Sequence, residues 1–191
     1  MSEANGDNLD CLVVPSVEPR DCVITPDWAA KAIVDHFKPT GRMLDPCRGG
    51  GAFWKHMPGA DWCEAAEGRD FFAWTEPVDW IVSNPPYSTF KPWMLHSFTL
   101  AENVVYLVPL HKVFCGAKYL DAIMHYGGMP EVLVMGAGSR LGFPFGFMVG
   151  AIHFKRGYAG PTWIHRHNAE VSGAGTGSAG LPGYTAGDNT E

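Results

Sequence analysis

The chain has 191 residues, of which 46% are hydrophobic, and a formal net charge of −6. This length and composition predict one globular domain with a sizeable core and exclude a fibre or a coiled coil. The polar, acidic start MSEANGDNLD is not a signal peptide, and no apolar run approaches the ~18 residues of a membrane span, so we expect a soluble cytoplasmic protein.

The negative charge lies mainly at the two ends of the chain. Residues 1–21 carry five acidic residues and one basic residue, and residues 168–191 carry three acidic residues. The rest, 22–167, has 12 acidic and 13 basic residues, close to +1. We therefore expect a folded domain over 22–167, a flexible segment over 1–21 and a disordered Gly-rich tail over 168–191. The domain lacks the basic stripe of a strong non-specific nucleic-acid binder.

Cysteine and histidine show no metal-binding pattern. The five cysteines are odd in number and widely spaced, and the eight histidines lack ligand spacing. Reduced thiols and the absence of a metal site are the expectation.

The first elements alternate between helix and strand. Thr25 and Pro26 have the pattern of an N-cap followed by proline at the first helical position, and apolar residues recur at helical spacing as far as Phe37. A short strand at 43–44 then leads through a glycine-rich turn to a helix at 53–56.

The later elements complete an α/β pattern. They are predicted in this order: a strand at 62–65, a strand at 80–82, a helix near 92–102, a strand at 103–108, and two strands at 131–135 and 147–154. Strands alternating with helices predict a mostly parallel, twisted sheet with helices on both faces. The last two strands have no helix between them, which predicts a C-terminal antiparallel hairpin.

The stretch DPCRGGGAF, residues 45–53, places glycines where a strand turns into a helix. Gly49 and Gly51 permit tight turning and close approach of a ligand to the backbone, while Asp45 can bind a cationic or hydroxylated group. A phosphate site is a weaker interpretation because no GK[ST] follows the glycines. A simple connecting turn is the alternative.

Acidic residues downstream fit a nucleoside pocket. Glu64 follows about 20 residues later, where a carboxylate typically binds ribose hydroxyls, and Glu67 is a rival for that role. Asp70 can accept a hydrogen bond from an adenine amine. Phe71 is either an aromatic wall or a core residue, and core packing is favoured for Phe72. The pocket suits a positively charged nucleoside.

The tetrapeptide NPPY, residues 84–87, ends a predicted buried strand. Pro85 and Pro86 lack the N–H that a central strand needs and stiffen the chain, which holds Asn84 extended at the sheet edge. A strand-terminating turn is the structural alternative.

The two motifs in this order resemble those of class I S-adenosylmethionine-dependent amino-methyltransferases, above all small DNA N6-adenine methyltransferases of bacteriophages and prophages. The family pattern D-P-x-x-G-x-G-x-F matches Asp45, Pro46, Gly49, Gly51 and Phe53, and [DNS]-P-P-[YFW] matches residues 84–87. The similarity covers about residues 22–158. It implies a Rossmann-like class I methyltransferase fold.

The resemblance also implies a function and a set of site residues. S-adenosyl-L-methionine would donate a methyl group to the exocyclic N6 amine of adenine in DNA, either flipped from a duplex or single-stranded, with the enzyme acting alone or as a homodimer. The implied catalytic residues are Asn84, Pro85, Pro86 and Tyr87. The implied cofactor residues are Thr25, Asp45, Pro46, Gly49, Gly51, Phe53, Glu64, Asp70, Phe71 and Asn84. The implied substrate-binding residues are Tyr87, Lys91, His111, Lys112 and Arg140.

The chain departs from restriction-associated members of this family. It has no room for a separate target-recognition domain, so recognition would fall to loops near 88–93, 111–118 and 136–146. We therefore expect short or weak sequence specificity. Two alternatives stay open: a methyltransferase acting on a protein glutamine amide or an RNA base amine, and a catalytically silent cofactor-binding module.

Overall fold

A computed structural model describes residues 23–167 as a three-layer α/β domain. Seven strands form one sheet in the order β2-β1-β3-β4-β6-β5-β7. Their bounds are β1 Met43–Asp45, β2 Asp61–Trp62, β3 Val78–Ser83, β4 Ala101–Pro109, β5 Gly127–Ala137, β6 Met148–Arg156 and β7 Trp163–Arg166. The helices are α1 Asp27–Phe37, α2 Phe90–Leu100 and α3 Ala117–Tyr126. The expectations for residues 1–21 and 168–191 lie outside the described range.

The sheet combines parallel and antiparallel pairing. Strands β2, β1, β3 and β4 are parallel, β6 runs antiparallel between β4 and β5, and β7 pairs parallel with β5. The predicted α/β class and the C-terminal antiparallel hairpin are both confirmed. The parallel arrangement brings the carboxyl ends of β1, β3 and β4 to one edge of the sheet, called here the carboxyl edge.

Helices cover both faces of the sheet, as predicted. Alternating residues of the central strands divide the core, with Val104 under α2 and α3 and Val105 under α1. Both side chains are fully buried. This double burial explains why β4 has a nearly continuous apolar sequence.

The start of α1 differs from the prediction. Pro26, not Thr25, is the N-cap residue, and the helix begins at Asp27. The Thr25 side chain does not cap the helix because its oxygen accepts a hydrogen bond from a side chain 59 residues away. The predicted N-cap role of Thr25 is therefore wrong.

Three other predicted elements have different bounds. The expected helix at 53–56 is a single 3-10 turn at Trp54–His56, and β2 is only two residues long and ends before Cys63. Helix α2 begins two residues earlier than predicted, at Phe90. The short elements leave the 46–74 segment as a series of tight turns that wrap one end of the carboxyl edge.

Two elements were not predicted. Helix α3 has a buried apolar face, with Ile123 and Tyr126 packed in the core. All four residues of β7 are exposed, and its hydrogen bonds to β5 define it as a strand. No helix among the described residues is long and apolar enough to span a membrane.

Candidate functional site

Both sequence motifs lie at the carboxyl edge, on neighbouring strands. Strand β1 ends at Asp45 and β3 ends at Ser83, the residue before Asn84. The chain leaves β1 for β2 on one side and returns to β3 on the other, so this point is a topological switch point. In open α/β sheets such a crevice is where ligands bind.

The glycine turn after β1 has an open outer surface. Gly49 and Gly51 have φ values of 49° and 81°, in the left-handed region that favours glycine. A Cβ atom added at Gly49 or Gly50 would meet nothing within 4 Å. The backbone here is therefore accessible to a ligand from outside.

A buried carboxylate lies beneath this turn. Asp45 is fully buried, and its Oδ1 atom accepts hydrogen bonds from the Ser83 hydroxyl at 2.7 Å and from the Cys47 N–H at 3.4 Å. Its Oδ2 atom is buried without a hydrogen-bond partner among the described residues. Burial raises the pKa of Asp45 to about 6. A cationic ligand at Oδ2 would favour the charged carboxylate.

Glu64 and Glu67 occupy different places. Glu64 follows β2, and its carboxylate accepts hydrogen bonds from the Gly49 N–H at 2.8 Å and the Ala66 N–H at 3.2 Å. Glu67 is half-exposed and forms an ion pair with Arg48. Glu64 thus faces the glycine turn, and Glu67 lies at the outer rim.

Two guanidinium groups surround the indole at the end of β2. Arg48 and Arg69 lie 4.0 and 3.9 Å from the centre of the Trp62 ring. These cation–π contacts, together with the Arg48–Glu67 ion pair, hold the glycine turn against the segment after β2. The sequence analysis did not identify this cluster.

The Asn84 side chain is held by the segment before α1. Its Nδ2 group donates hydrogen bonds to the Thr25 hydroxyl oxygen at 3.0 Å and to the Val23 carbonyl at 3.3 Å. With both donor contacts on that side, Oδ1 is buried and has no donor among residues 23–167. A buried amide oxygen without a partner is costly to the folded state, and a ligand N–H would satisfy it.

Pro85, Pro86 and Tyr87 are all buried after β3. Tyr87 is 8% exposed, and its ring packs edge-on against Phe145 with a centroid distance of 5.9 Å. Tyr87, which the resemblance implies to be a catalytic and substrate-binding residue, is therefore covered, in this structure, by a loop that precedes β6.

The side chains of Asp70, Phe71 and Phe72 have different surroundings. Asp70 caps a 3-10 turn by accepting from the Phe72 N–H at 3.0 Å. Phe71 is 2% exposed and stacks on Trp93 at 4.9 Å, whereas Phe72 is 46% exposed. The ring available to a ligand here is Phe72, the reverse of the sequence-based preference.

The remaining predicted site residues divide into two groups. Pro46 is buried beside Asp45, and Phe53 packs in the core beneath the glycine turn. The cations lie elsewhere on the carboxyl edge: Lys91 at the start of α2, His111 and Lys112 in a 3-10 turn after β4, and Arg140 in the 3-10 turn after β5. They do not contact the glycine turn.

No family model matches the chain, and no curated protein matches it. Solved structures do resemble it. A Listeria monocytogenes protein assigned to the class I S-adenosylmethionine-dependent methyltransferases has a TM-score of 0.56 at 12% identity, with 78% of this chain and 67% of that chain covered. The class I methyltransferase fold is the fold of this chain.

Two further neighbours belong to restriction-modification systems. The methyltransferase subunit of a type I system from Streptococcus thermophilus has a TM-score of 0.58 at 13% identity, with 75% of this chain and 46% of that chain covered. The EcoKI M protein of a type I restriction enzyme has a TM-score of 0.55 at 12% identity, covering 78% of this chain and 50% of that chain. The chain thus spans about half the length of these subunits.

The sequence analysis did not identify Ser83 as a candidate site residue. Its hydroxyl joins the strand before NPPY to Asp45 and lies 3.4 Å from the Cys47 carbonyl oxygen. A small polar residue at the end of a buried apolar strand, directly before NPPY, was the available signal. In residues 23–167, no group of three or more His, Cys, Asp or Glu side chains is arranged to hold a metal ion.

Proposed function

We propose that the protein is an S-adenosylmethionine-dependent amino-methyltransferase that modifies the N6 amine of adenine in DNA. One observation carries the proposal: the buried, unpartnered Oδ1 of Asn84 lies at the switch point next to the Asp45 strand end. An amide oxygen in that position is suited to accept a hydrogen bond from a substrate amine.

The residues at the glycine turn fit the cofactor on two grounds. The open surface above Gly49 and Gly50 leaves space for a ligand, and the unpartnered Oδ2 of Asp45 can accept from its amino group. Glu64 would hold the ribose hydroxyls, and Asp70 the adenine amine. When bound, S-adenosylmethionine supplies a methyl group on a positively charged sulfur.

The chain's own residues would prepare the acceptor. An aromatic amine is a poor nucleophile because its lone pair is delocalised into the ring. If the Asn84 Oδ1 and the Pro85 carbonyl oxygen each accept a hydrogen bond from one N–H of the amine, electron density shifts to the nitrogen. The prolines and the contacts of Nδ2 with Thr25 and Val23 fix these acceptors before the amine arrives.

Two facts support DNA as the substrate. The motif order and spacing resemble the small DNA adenine methyltransferases, and type I restriction-modification subunits are among the structural neighbours. Adenine would have to leave the duplex to reach Asn84, which costs a few kcal/mol and favours DNA that is already open. Short or weak sequence specificity follows because the recognition loops are short.

A methyl-transfer assay tests the proposal. The protein is incubated with radiolabelled S-adenosylmethionine and, in parallel, with unmethylated single-stranded DNA, duplex DNA, RNA and cell-extract protein. We expect label in DNA, recovered as N6-methyladenine after digestion. The Asn84→Ala variant should lower the rate at least about 100-fold by removing a preorganised acceptor.

Calorimetry of cofactor binding is the control for folding of the variant. Asn84→Ala should bind S-adenosylmethionine about as tightly as the wild type, and Asn84→Asp, which keeps an oxygen, should retain part of the activity. Transfer to protein or RNA alone would refute the DNA assignment. Cofactor binding without transfer to any acceptor would identify a silent binding module.

A further inference from the structure

We propose that the loop before β6 and the added strand β7 form a binding track for single-stranded DNA, beside the catalytic motif. The track consists of Phe147, Met148, Arg140 and Arg166. This inference rests on the proposed function, since it specifies the form of the DNA that the same site takes.

A groove forms the first part of the track. Its volume is about 550 Å³, and it lies between the end of β5, the 3-10 turn after it, and β7. Its charged lining residues are Arg140 and Arg166, with His165 beside them, and Met148 and Ile164 provide apolar surface. Two guanidinium groups beside apolar surface suit a sugar-phosphate backbone.

The groove belongs to a long stretch without acidic residues. Residues 132–167 contain no Asp or Glu, and two of their four cations, Arg140 and Arg166, line the groove. The acidic residue nearest to this stretch in the sequence is Glu131. Its Oε1 atom lies 2.5 Å from His36 Nε2 and 3.1 Å from His165 Nε2. No carboxylate of this stretch therefore opposes an anionic ligand in the groove.

Strand direction brings the groove to the catalytic edge. Because β7 runs parallel to β5, its last residue Arg166 lies opposite Val134, near the carboxyl edge. Strand β6 begins at that edge, since Val149 pairs with Pro109 at the end of β4. The groove and the catalytic motif thus open at the same edge of the sheet.

A series of aromatic rings connects the groove to the catalytic motif. Tyr87 contacts Phe145, Phe145 contacts Phe147 at 6.0 Å, and Phe147 contacts His111 at 4.8 Å. Gly138 permits this packing, because a Cβ there would lie 2.6 Å from the Phe145 ring. Phe147 is 58% exposed, so its ring can stack with a base.

The combination selects a single-stranded nucleic acid over other anions, and DNA rather than RNA follows from the proposed function. Base pairing and stacking hide the faces of bases in a duplex, whereas an exposed ring such as Phe147 requires an unstacked base. An acidic peptide would use the cations but would gain nothing from the ring. The cationic groove, three to four strands from β3, would hold phosphates while a base a few nucleotides further along the strand reaches Asn84.

Binding measurements with defined oligonucleotides test the track. Fluorescence anisotropy is recorded for a labelled adenine-containing 16-mer as single strand, as duplex, and as RNA, over a series of salt concentrations. The double variant Arg140→Ala/Arg166→Ala should lower the salt slope by about 1.4, since each single-strand phosphate contact contributes about 0.7. Lys155→Ala, an exposed cation at the opposite edge of β6, should leave the slope unchanged.

A second variant tests the ring. Phe147→Ala should weaken single-strand binding about tenfold with little change in the salt slope, because stacking is not ionic. Met124→Ala removes an apolar side chain of similar exposure on α3 and should have no effect. Duplex or RNA bound as tightly as the single strand, or binding insensitive to both track variants, would overturn the inference.

The results separate this inference from the proposed function. Methyl transfer to DNA that does not depend on Arg140, Arg166 and Phe147 would retain the enzyme and reject the track. Track-dependent binding of single-stranded DNA without transfer would retain the track and reject the activity. The track variants should bind S-adenosylmethionine as tightly as the wild type in calorimetry. Equal affinity would show that they are folded.

Discussion

The two halves of the sheet differ in strand direction and in charge. The parallel half, β2-β1-β3-β4, has Asp45, Glu64, Glu67 and Asp70 around the glycine turn and the segment after β2, with Arg48 and Arg69 among them. Its basic residues Lys91, His111 and Lys112 lie farther along the same edge. The antiparallel half, β6-β5-β7, has cations at the same edge and no acid after Glu131 within the described chain. The net charge of −6 therefore says little about which ligand either half can accept.

This separation suits a reaction between two ligands of opposite charge. In the proposed reaction, a sulfonium cofactor would be attracted to the acidic residues around the glycine turn, and a polyanionic substrate to the cations after β4 and β5. Asn84 follows β3 within the parallel half, between the ends of β1 and β4. The division teaches that charge must be assigned to surfaces before it is used to predict a partner.

Burial shifts the pKa of an aspartate in the parallel half and that of a histidine in the antiparallel half in opposite directions. It raises the pKa of Asp45 to about 6 and lowers the pKa of His153 to about 4. Both shifts favour the neutral form, as expected for groups removed from water. The halves should therefore respond to pH with opposite signs.

Outside the NPPY motif, the largest expected effect is that of Asp45→Asn in the parallel half. Loss of the buried carboxylate should weaken S-adenosylmethionine binding at least about 30-fold, measured by calorimetry. The same change should raise the free energy of unfolding at pH 7 by on the order of 1–3 kcal/mol, measured in urea. The folded pKa exceeds the unfolded value, so wild-type stability falls as pH rises from about 4 to about 6.

Asp35→Asn is the matched control for that experiment. Asp35 is an exposed partner of Lys31 on α1, so its substitution should change neither quantity appreciably. An Asp45→Asn protein that binds the cofactor normally, or that is less stable than the wild type at pH 7, would contradict the assignment.

A smaller effect is expected from Thr25→Val, beside Asn84 in the parallel half. This near-isosteric change removes one of the two acceptors of the Asn84 Nδ2 group and leaves the Val23 carbonyl, so the amide is held less firmly and kcat should fall about tenfold. Thr25→Ser should restore the rate. If Thr25 instead binds the cofactor, the variant will raise the dissociation constant of S-adenosylmethionine and leave kcat intact.

The last effect is on stability alone and concerns His153 in the antiparallel half. Its folded pKa lies below the unfolded value of about 6.5, so its contribution to stability is present above pH 6.5 and is lost as pH falls toward 4. His153→Gln should remove this loss, which is at most about 1.4 kcal/mol of unfolding free energy per pH unit. Urea titrations at several pH values measure it. His125→Gln, exposed on α3, is the control, and an unchanged pH profile in His153→Gln would reject the explanation.

Much of the fold could be predicted because it follows from local sequence. Strands β1, β3 and β4 and the C-terminal hairpin were found from apolar runs bounded by turn residues. Helix α3 also had a signal, since Tyr119, Ile123 and Tyr126 recur at helical spacing, but it was not used. Strand β7 had no such signal, because its four exposed residues are a strand only through pairing with β5.

The placement of the candidate site residues in the fold was predicted in outline and differed in detail. The sequence identified Asp45, the glycine turn and Asn84, whose positions follow from the strand ends. It did not reveal that Phe72 rather than Phe71 is exposed, because both follow the same turn and their directions depend on packing against Trp93.

The sequence alone determined the order of the motifs and the ends of the strands that carry them. This is because apolar runs, prolines and glycines act over a few residues. Only the tertiary structure decided which way the Asn84 amide faces, which carboxylate meets the glycine turn, and that Arg140 and Arg166 share a groove. Each of these depends on a contact between segments far apart in the chain, and no local pattern encodes where such segments meet.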